Sequence, residues 1–399
     1  MTQTHRARLL TLALAVSVAA CSSGGDSSQP TNQPPPPPPI AAVQDGAFKD
    51  SNVLGLDFVS GAQSGTTDAG GRYRCETGST VSFSIGAVEL GSMACTTLAS
   101  PPALIGDGSL DNVESLNMAR LLLMLDGDVD PRNGIVISEM LQTMADSWPQ
   151  IDFGAADFDA EVVIPIADIM SVEQRMAELP SASIARDHLQ DTLSCAYSGA
   201  FIGQLSGSST AAVTLQVGYE QFFSNVDDVY WTAWDAENGT RVTLVDYEVA
   251  VPPSFDTTPV DPSVQVTGGF DTPDSISGTW NIPGESASGT YVANRIGGNT
   301  AEIRVTGSFN TNDGGSGVLV LDIDGNTITG EAFEAFEGTL YTVTGTRSGD
   351  DIEVTAVGGG ETIVGTGTLS RFDRNGVPRR VFGDLDIGGS FFGVACKLN

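Results

Sequence analysis

From residue 197 to residue 398 the chain repeats one short pattern: a run in which polar and apolar residues alternate, then a turn rich in glycine and aspartate. Fifteen such runs can be read, among them 197–205, 229–234, 302–309, 327–332, 362–369 and 391–398. An alternation of period two sends successive side chains to opposite faces of a strand, so each run has one face to bury and one to leave wet. Asp324-Gly325 and Asn375-Gly376 are dipeptides that supply the positive φ of a two-residue hairpin turn. Many short strands joined by tight turns bury their apolar faces in a sandwich or a barrel. A glycine, a small residue and then an aromatic ring recur at Gly199-Ala200-Phe201, Gly278-Thr279-Trp280, Gly289-Thr290-Tyr291, Gly307-Ser308-Phe309 and Gly389-Ser390-Phe391. Glycine inside a strand marks a bend or a close backbone approach. The pattern predicts a strongly curled antiparallel sheet or a barrel, with the rings inside.

Upstream the texture differs. Residues 72–75 and 80–85 read as strands, Gly65-Thr66-Thr67-Asp68-Ala69-Gly70-Gly71 as a turn, and 88–90 as a further strand. Beyond them Val113, Leu116, Ala119, Leu122 and Leu123 recur at helical spacing, with Asp111 placed to cap. Further helices are expected at 137–147, at 170–179 before Pro180, and at 183–193. The expected fold class is therefore mainly β with a helical insert. A small β-sandwich spans 47–103, a helical segment 104–194, and a large antiparallel β-barrel or curled sheet 195–399.

The first residues carry an address. Arg6 and Arg8 precede an apolar stretch from Leu9 to Ala20, and small residues lead up to Cys21. That order is a secretory signal, too short to span a bilayer. Val18-Ala19-Ala20-Cys21 resembles the lipobox of bacterial lipoproteins. The resemblance implies that residues 1–20 are removed and that Cys21 is lipidated, so a lipid anchors the chain to a membrane; Ser22 implies the outer one. Residues 21–46, with Pro34 to Pro39, read as an extended tether at ~3.1 Å per residue. Four cysteines remain in an oxidising compartment: Cys75, Cys95, Cys195 and Cys396. Three pairings are open to them. The expectation is Cys75–Cys95, closing a local loop, and Cys195–Cys396, tying the C-terminal β region start to end.

Thr67-Asp68-Ala69-Gly70-Gly71-Arg72-Tyr73, followed by Gly78 and Val81, resembles carboxypeptidase regulatory-like domains of prealbumin type. That resemblance implies a small sandwich, usually non-catalytic. The whole order of segments is similar to surface lipoproteins of marine proteobacteria, which supplies no biochemical activity.

The net charge is −32 and the only lysines are Lys49 and Lys397, so the basic footprint of a nucleic-acid binder is absent. Asp126, Asp128 and Asp130 stand at i, i+2 and i+4, which suits Ca²⁺ with Asn133 as a further oxygen donor. The stretch departs from an EF-hand loop at Pro131 and Ile137, and its other reading is a helix-ending turn that bonds its own backbone. In the stretch from Asn312 to Leu319 the calcium nonapeptide pattern fails at Leu319, which leaves a hairpin loop. Tyr230 and Trp234 share one strand face, either a sugar-stacking platform or a core. Glu331, Glu334 and Glu337 cluster, but alternation sets Glu334 opposite the others. Arg371, Arg374, Arg379 and Arg380 form a basic cluster, a solvated hairpin tip or a contact for an anionic partner. Once His5 leaves with the signal, His188 is the only histidine, and no Gly-x-Ser-x-Gly elbow accompanies it.

These readings favour a lipid-anchored envelope protein that binds or scaffolds, with a polysaccharide or protein partner and Ca²⁺ as the one candidate cofactor. A carboxylate-dependent hydrolase of an envelope polymer is the alternative.

Overall fold

The computed structural model describes residues 42–106, 109–218, 227–235, 240–248, 254–257, 264–284, 286–298, 301–370 and 377–398. The signal, Cys21, most of the tether, Arg371, Arg374 and Asn375-Gly376 lie outside the described residues.

The chain begins with β1 (Val43–Phe48), β2 (Val53–Leu54), β3 (Asp57–Ser60), β4 (Gln63–Thr66), β5 (Arg72–Glu76), β6 (Thr80–Ile85), β7 (Val88–Ala94) and β8 (Leu98–Ala99). All but β2 build a three-stranded sheet, β5-β1-β8, and a four-stranded one, β4-β3-β6-β7. The alternation of β6 buries Val81, Phe83 and Ile85 and exposes Thr80 and Ser82. Phe83 meets Phe48 and Tyr73 of the other sheet edge-on, ring centroids 5.0 Å apart in both pairs, an arrangement the ring quadrupoles favour. The disulfide Cys75–Cys95 joins the end of β5 to the residue after β7.

Next come α1 (Pro101–Ile105), α2 (Val113–Leu125), β9 (Ile135–Val136), α3 (Glu139–Ala145), α4 (Phe158–Glu161), α5 (Val163–Val172) and α6 (Ala182–Tyr197). One apolar core runs through strands and helices alike, with Phe48 and Phe83 in the same cluster as Leu121, Leu122, Leu141 and Leu189. Three local expectations need correcting. The cap of α2 is Asn112, whose side chain accepts from the N–H groups of Glu114 and Ser115; Asp111 pairs instead with Arg186 at 2.7 Å. The third expected helix lies earlier, at α5, because Gln174 takes a φ of 55°. Arg175 is then free to donate to the Met124 carbonyl at 2.8 Å, a cation at the negative end of α2. Finally, α6 runs past Cys195, so Cys195 and Tyr197 close a helix and do not open a strand; every residue from Thr192 to Tyr197 is buried.

The C-terminal strands form two curled bodies. β10 (Gly199–Gly207), β11 (Ala212–Gly218), β12 (Asp227–Asp235), β13 (Thr240–Glu248), β14 (Ser254–Asp256), β15 (Gln265–Thr272), β16 (Ser275–Ile282) and β17 (Ala287–Ile296) make one antiparallel sheet in the order β13-β12-β11-β10-β17-β16-β15-β14. β18 (Ile303–Thr311), β19 (Ser316–Asp324), β20 (Thr327–Glu334), β21 (Thr339–Ser348), β22 (Asp351–Gly358), β23 (Glu361–Ser370), β24 (Arg380–Leu385) and β25 (Gly389–Lys397) form a closed barrel. β25 returns to β18 in register from Ile303↔Lys397 to Thr311↔Gly389, so the barrel has no free edge. The recurring rings point inward: Phe201, Trp280 and Tyr291 into the curled sheet, Phe309 and Phe391 into the barrel. Their glycines are steric necessities. A Cβ on Gly289 would strike the Ser206 carbonyl, and one on Gly389 would strike the Asn310 carbonyl.

Between these bodies and the helical part lies a buried polar hub. Arg295 donates to the carbonyls of Ser198 at 2.6 Å, Tyr197 at 3.3 Å and Pro273 at 2.8 Å. Arg304 donates to Ser198 O and pairs with Asp322 at 3.2 Å. Two guanidinium groups thus satisfy the last carbonyls of α6, which have no partner within the helix. The disulfide Cys195–Cys396 binds the same turn of α6 to β25.

Candidate functional site

Closing eight strands leaves an interior that side chains can just fill or that one small ligand can occupy. Here both occur. The half of the barrel nearer the hub is packed by Ile303, Ile323, Ile352, Leu369, Val381 and Ala395. The other half, whose lining includes Ala332 and Ala356, holds a cavity of about 500 Å³. Its walls are Leu319, Leu321, Val343, Val354 and Phe391, and its mouth is set by Asp313, Glu334, Glu337 and Glu361. These acids come from three of the four turns at that end of the barrel, β18–β19, β20–β21 and β22–β23; the fourth, β24–β25, adds Ile387.

The polar groups of the mouth have distinct duties. Glu334 is buried and accepts from the N–H groups of Ser316, Phe336 and Glu337, so it holds the β20–β21 turn closed. Asp313 accepts from Thr311 Oγ1, which holds its carboxyl below the usual range. Tyr341 is 6% exposed and lines the cavity; its hydroxyl has no hydrogen-bond partner among the described residues. Burial, then the charges of Glu361, Glu337, Glu334 and Asp313, raise its pKa, so the phenol stays protonated at neutral pH.

A second polar cluster was hidden in an unremarkable run, Lys49-Asp50-Ser51-Asn52. Lys49 is buried, and its Nζ donates to the Leu398 carbonyl and to Asn52 Oδ1. His188 Nε2 lies 3.2 Å from Asp50 Oδ1 and 3.5 Å from Ser51 Oγ. A hydrolytic triad needs its acid and its nucleophile on different ring nitrogens. Both partners here face one nitrogen, and buried Ser51 donates to the Pro131 carbonyl, so this cluster is a joint between segments. Burial opposes the charge on His188, but Asp50 and Asp191 outweigh it and raise its pKa. Burial, then Arg304 and Arg72, push Lys49 down to about 7.

Between about pH 7 and the unfolded Lys49 value of 10.5, the unfolded chain binds a proton that the folded chain does not. Stability therefore rises with pH across that window. The urea midpoint should rise from pH 7.5 to 9.5, below the range where tyrosines ionise, and Lys49→Met should flatten the rise. Equal slopes in parent and variant would assign it to another group.

The residues singled out from sequence are placed as follows. Asp126 is buried and accepts from Val136 N at 3.0 Å; burial raises its pKa. Asp128 accepts from Asn133 Nδ2 at 2.8 Å, and Asp130 pairs with Arg132 at 2.6 Å. The three carboxylates thus serve three different partners, and among the described residues no group of three or more His, Cys, Asp or Glu is placed to hold a metal. Of the two readings of Trp234, the core holds and the sugar platform does not: the residue is buried, donates to Thr214 Oγ1 at 2.8 Å and meets Phe336 edge-on at 5.0 Å. The curled sheet packs on the barrel there, so Trp234 cannot stack on a sugar; Tyr230 is half-buried. Glu331 accepts from Gly297 N at 2.8 Å, away from Glu334. Arg380 lies over the Phe392 ring, 5.9 Å from its centroid.

No family model matches the chain, and no curated protein matches it. Several solved structures are similar to parts of it. One is HpuA from Kingella denitrificans, in complex with human haemoglobin, at 11% identity over 49% of this chain and 91% of that one, TM-score 0.18. Another is kievitone hydratase from Nectria haematococca, at 7% identity over 52% and 90%, TM-score 0.19. Likeness at this level carries no argument about function.

Proposed function

We propose that this chain is a lipid-anchored envelope protein that binds a small, largely apolar molecule in its C-terminal barrel. The observation that carries the reading is the cavity of about 500 Å³ inside the barrel, with apolar walls and a few convergent polar groups at its mouth. That volume falls within the ~300–1,000 Å³ of small-molecule sites, which combine apolar lining with a few placed polar groups. The anchor rests on the resemblance of Val18 to Cys21 to a lipobox, and the two disulfides fit an exported chain.

The test uses a neutral fluorescent probe, N-phenyl-1-naphthylamine, with the chain lacking residues 1–20. Saturable one-to-one binding is expected. Ala356→Trp, which fills the cavity, should weaken it by about tenfold or more. Val357→Trp, on the exposed face of the same strand, should leave it unchanged. Absence of saturable binding, or equal affinity in both variants, would overturn the reading. In the full chain, Cys21→Ser should release the protein from membranes or stall its processing; a fully processed variant that partitions into detergent like the parent would refute the anchor.

A further inference from the structure

The cations among the barrel's described residues are confined to one end. Among the described residues from 301 to 398, the cations are Arg304, Arg347, Arg379, Arg380 and Lys397. Each stands at a strand end that faces away from the cavity mouth, at the starts of β18 and β24 and the ends of β21 and β25. The four turns at the mouth contain no lysine or arginine. They present Asp313, Glu337 and Glu361, all exposed, around the buried Glu334. A recess lined by charge of one sign, with apolar walls below it, focuses the field and raises the local concentration of counter-charge.

The second observation is Tyr341. It is more than nine-tenths buried, lines the cavity, and its hydroxyl has no hydrogen-bond partner among the described residues. A ligand that displaces water from this wall without offering a polar group would leave the oxygen unsatisfied, which is costly in an apolar surround. The Phe309, Phe336 and Phe391 rings line the same space, and ring faces attract a cation.

Building on the cavity reading, we infer that the barrel selects a cationic amphiphile: an apolar body in the cavity and a primary ammonium group at the mouth. The ammonium donates to Tyr341 Oη and sits in the field of Glu337, Glu361 and Asp313. A carboxylate head is repelled by the same groups. A hydroxyl head meets Tyr341 but gains nothing from the charges.

The experiment compares decylamine, decanol and decanoate, each below its micelle concentration, by calorimetry on the chain lacking residues 1–20. Decylamine should bind about tenfold or more tighter than decanol at low salt, and the advantage should shrink at 0.5 M salt. Glu337→Gln with Glu361→Gln should remove most of the advantage, while Asp350→Asn with Glu353→Gln, two exposed acids outside the mouth, should leave it intact. Tyr341→Phe should weaken decylamine by several-fold. Equal binding of decanol and decylamine would overturn the selection and leave the cavity reading standing. So would equal losses in the two double variants, which would assign the attraction to the general negative surface. Failure of all three compounds to bind would overturn the cavity reading and this inference together.

Discussion

Arg295→Ala should cost about 4 kcal/mol or more of unfolding free energy, since it removes the donor from several buried carbonyls at ~1–3 kcal/mol each. That is a large share of the ~5–15 kcal/mol by which folded domains are stable. Arg295 is 3% exposed and pairs with Asp274 at 3.2 Å. Its guanidinium lies 4.7 Å from the centroid of the Phe201 ring, and it donates to three carbonyls at the junction of α6, the curled sheet and the β15–β16 turn. Its charge is itself disfavoured there, by burial first and by Arg304 next, with Asp274 and Asp322 opposing. Deletion leaves the buried carbonyls of Tyr197 and Pro273 without the Arg295 donor and Ser198 O with Arg304 alone, and each unsatisfied group costs ~1–3 kcal/mol unless water reaches it. Arg295→Met keeps most of the packing on Phe201 and removes the donors, so it separates the two contributions. It should be nearly as damaging as alanine. A loss below ~1 kcal/mol for both variants in urea unfolding, the value of a typical single hydrogen bond, would show that the hub does not hold the bodies together.

The second large effect concerns the disulfides. Cys195 and Cys396 are 201 residues apart in sequence, Cys75 and Cys95 only 20. Closing a loop of the longer kind removes roughly 5 kcal/mol of unfolded-chain entropy, and the shorter about 3. Replacing Cys195 and Cys396 by alanine should therefore lower the urea midpoint more than replacing Cys75 and Cys95. The longer bridge also sits in the hub, where Ser198 Oγ lies 3.5 Å from Cys396 Sγ, so its loss loosens the turn that Arg295 and Arg304 cap. The reverse order of midpoints would mean that the unbridged chain already holds its ends together.

Local signals were sufficient for local structure. The alternation Thr80 to Ile85 and the turn Asp324-Gly325 specify a strand and a hairpin by sterics that act within a few residues, and both are present. The inward rings after Gly278 and Gly289 were equally legible, since glycine there clears a carbonyl on the next strand. Helix limits were less legible, because contacts from distant segments set them. Arg175 crosses to the end of α2, and the sealed end of α6 is held by Arg295 from β17.

What the amino-acid sequence determined by itself was the kind of element at most positions, the curled all-antiparallel C-terminal region and the parity of its cysteines. Each of these depends on period, turn chemistry or count. The tertiary structure alone decided which faces meet. Trp234 sits on a strand face that sequence leaves open between a platform and a core, and it is buried because the barrel packs against that face. The mouth is the clearer case. Asp313, Glu337 and Glu361 stand in three turns far apart in sequence, and none belongs to a motif. Barrel closure brings those turns to one rim and the cations of its described residues to the other end, a convergence of non-local positions that no local pattern encodes.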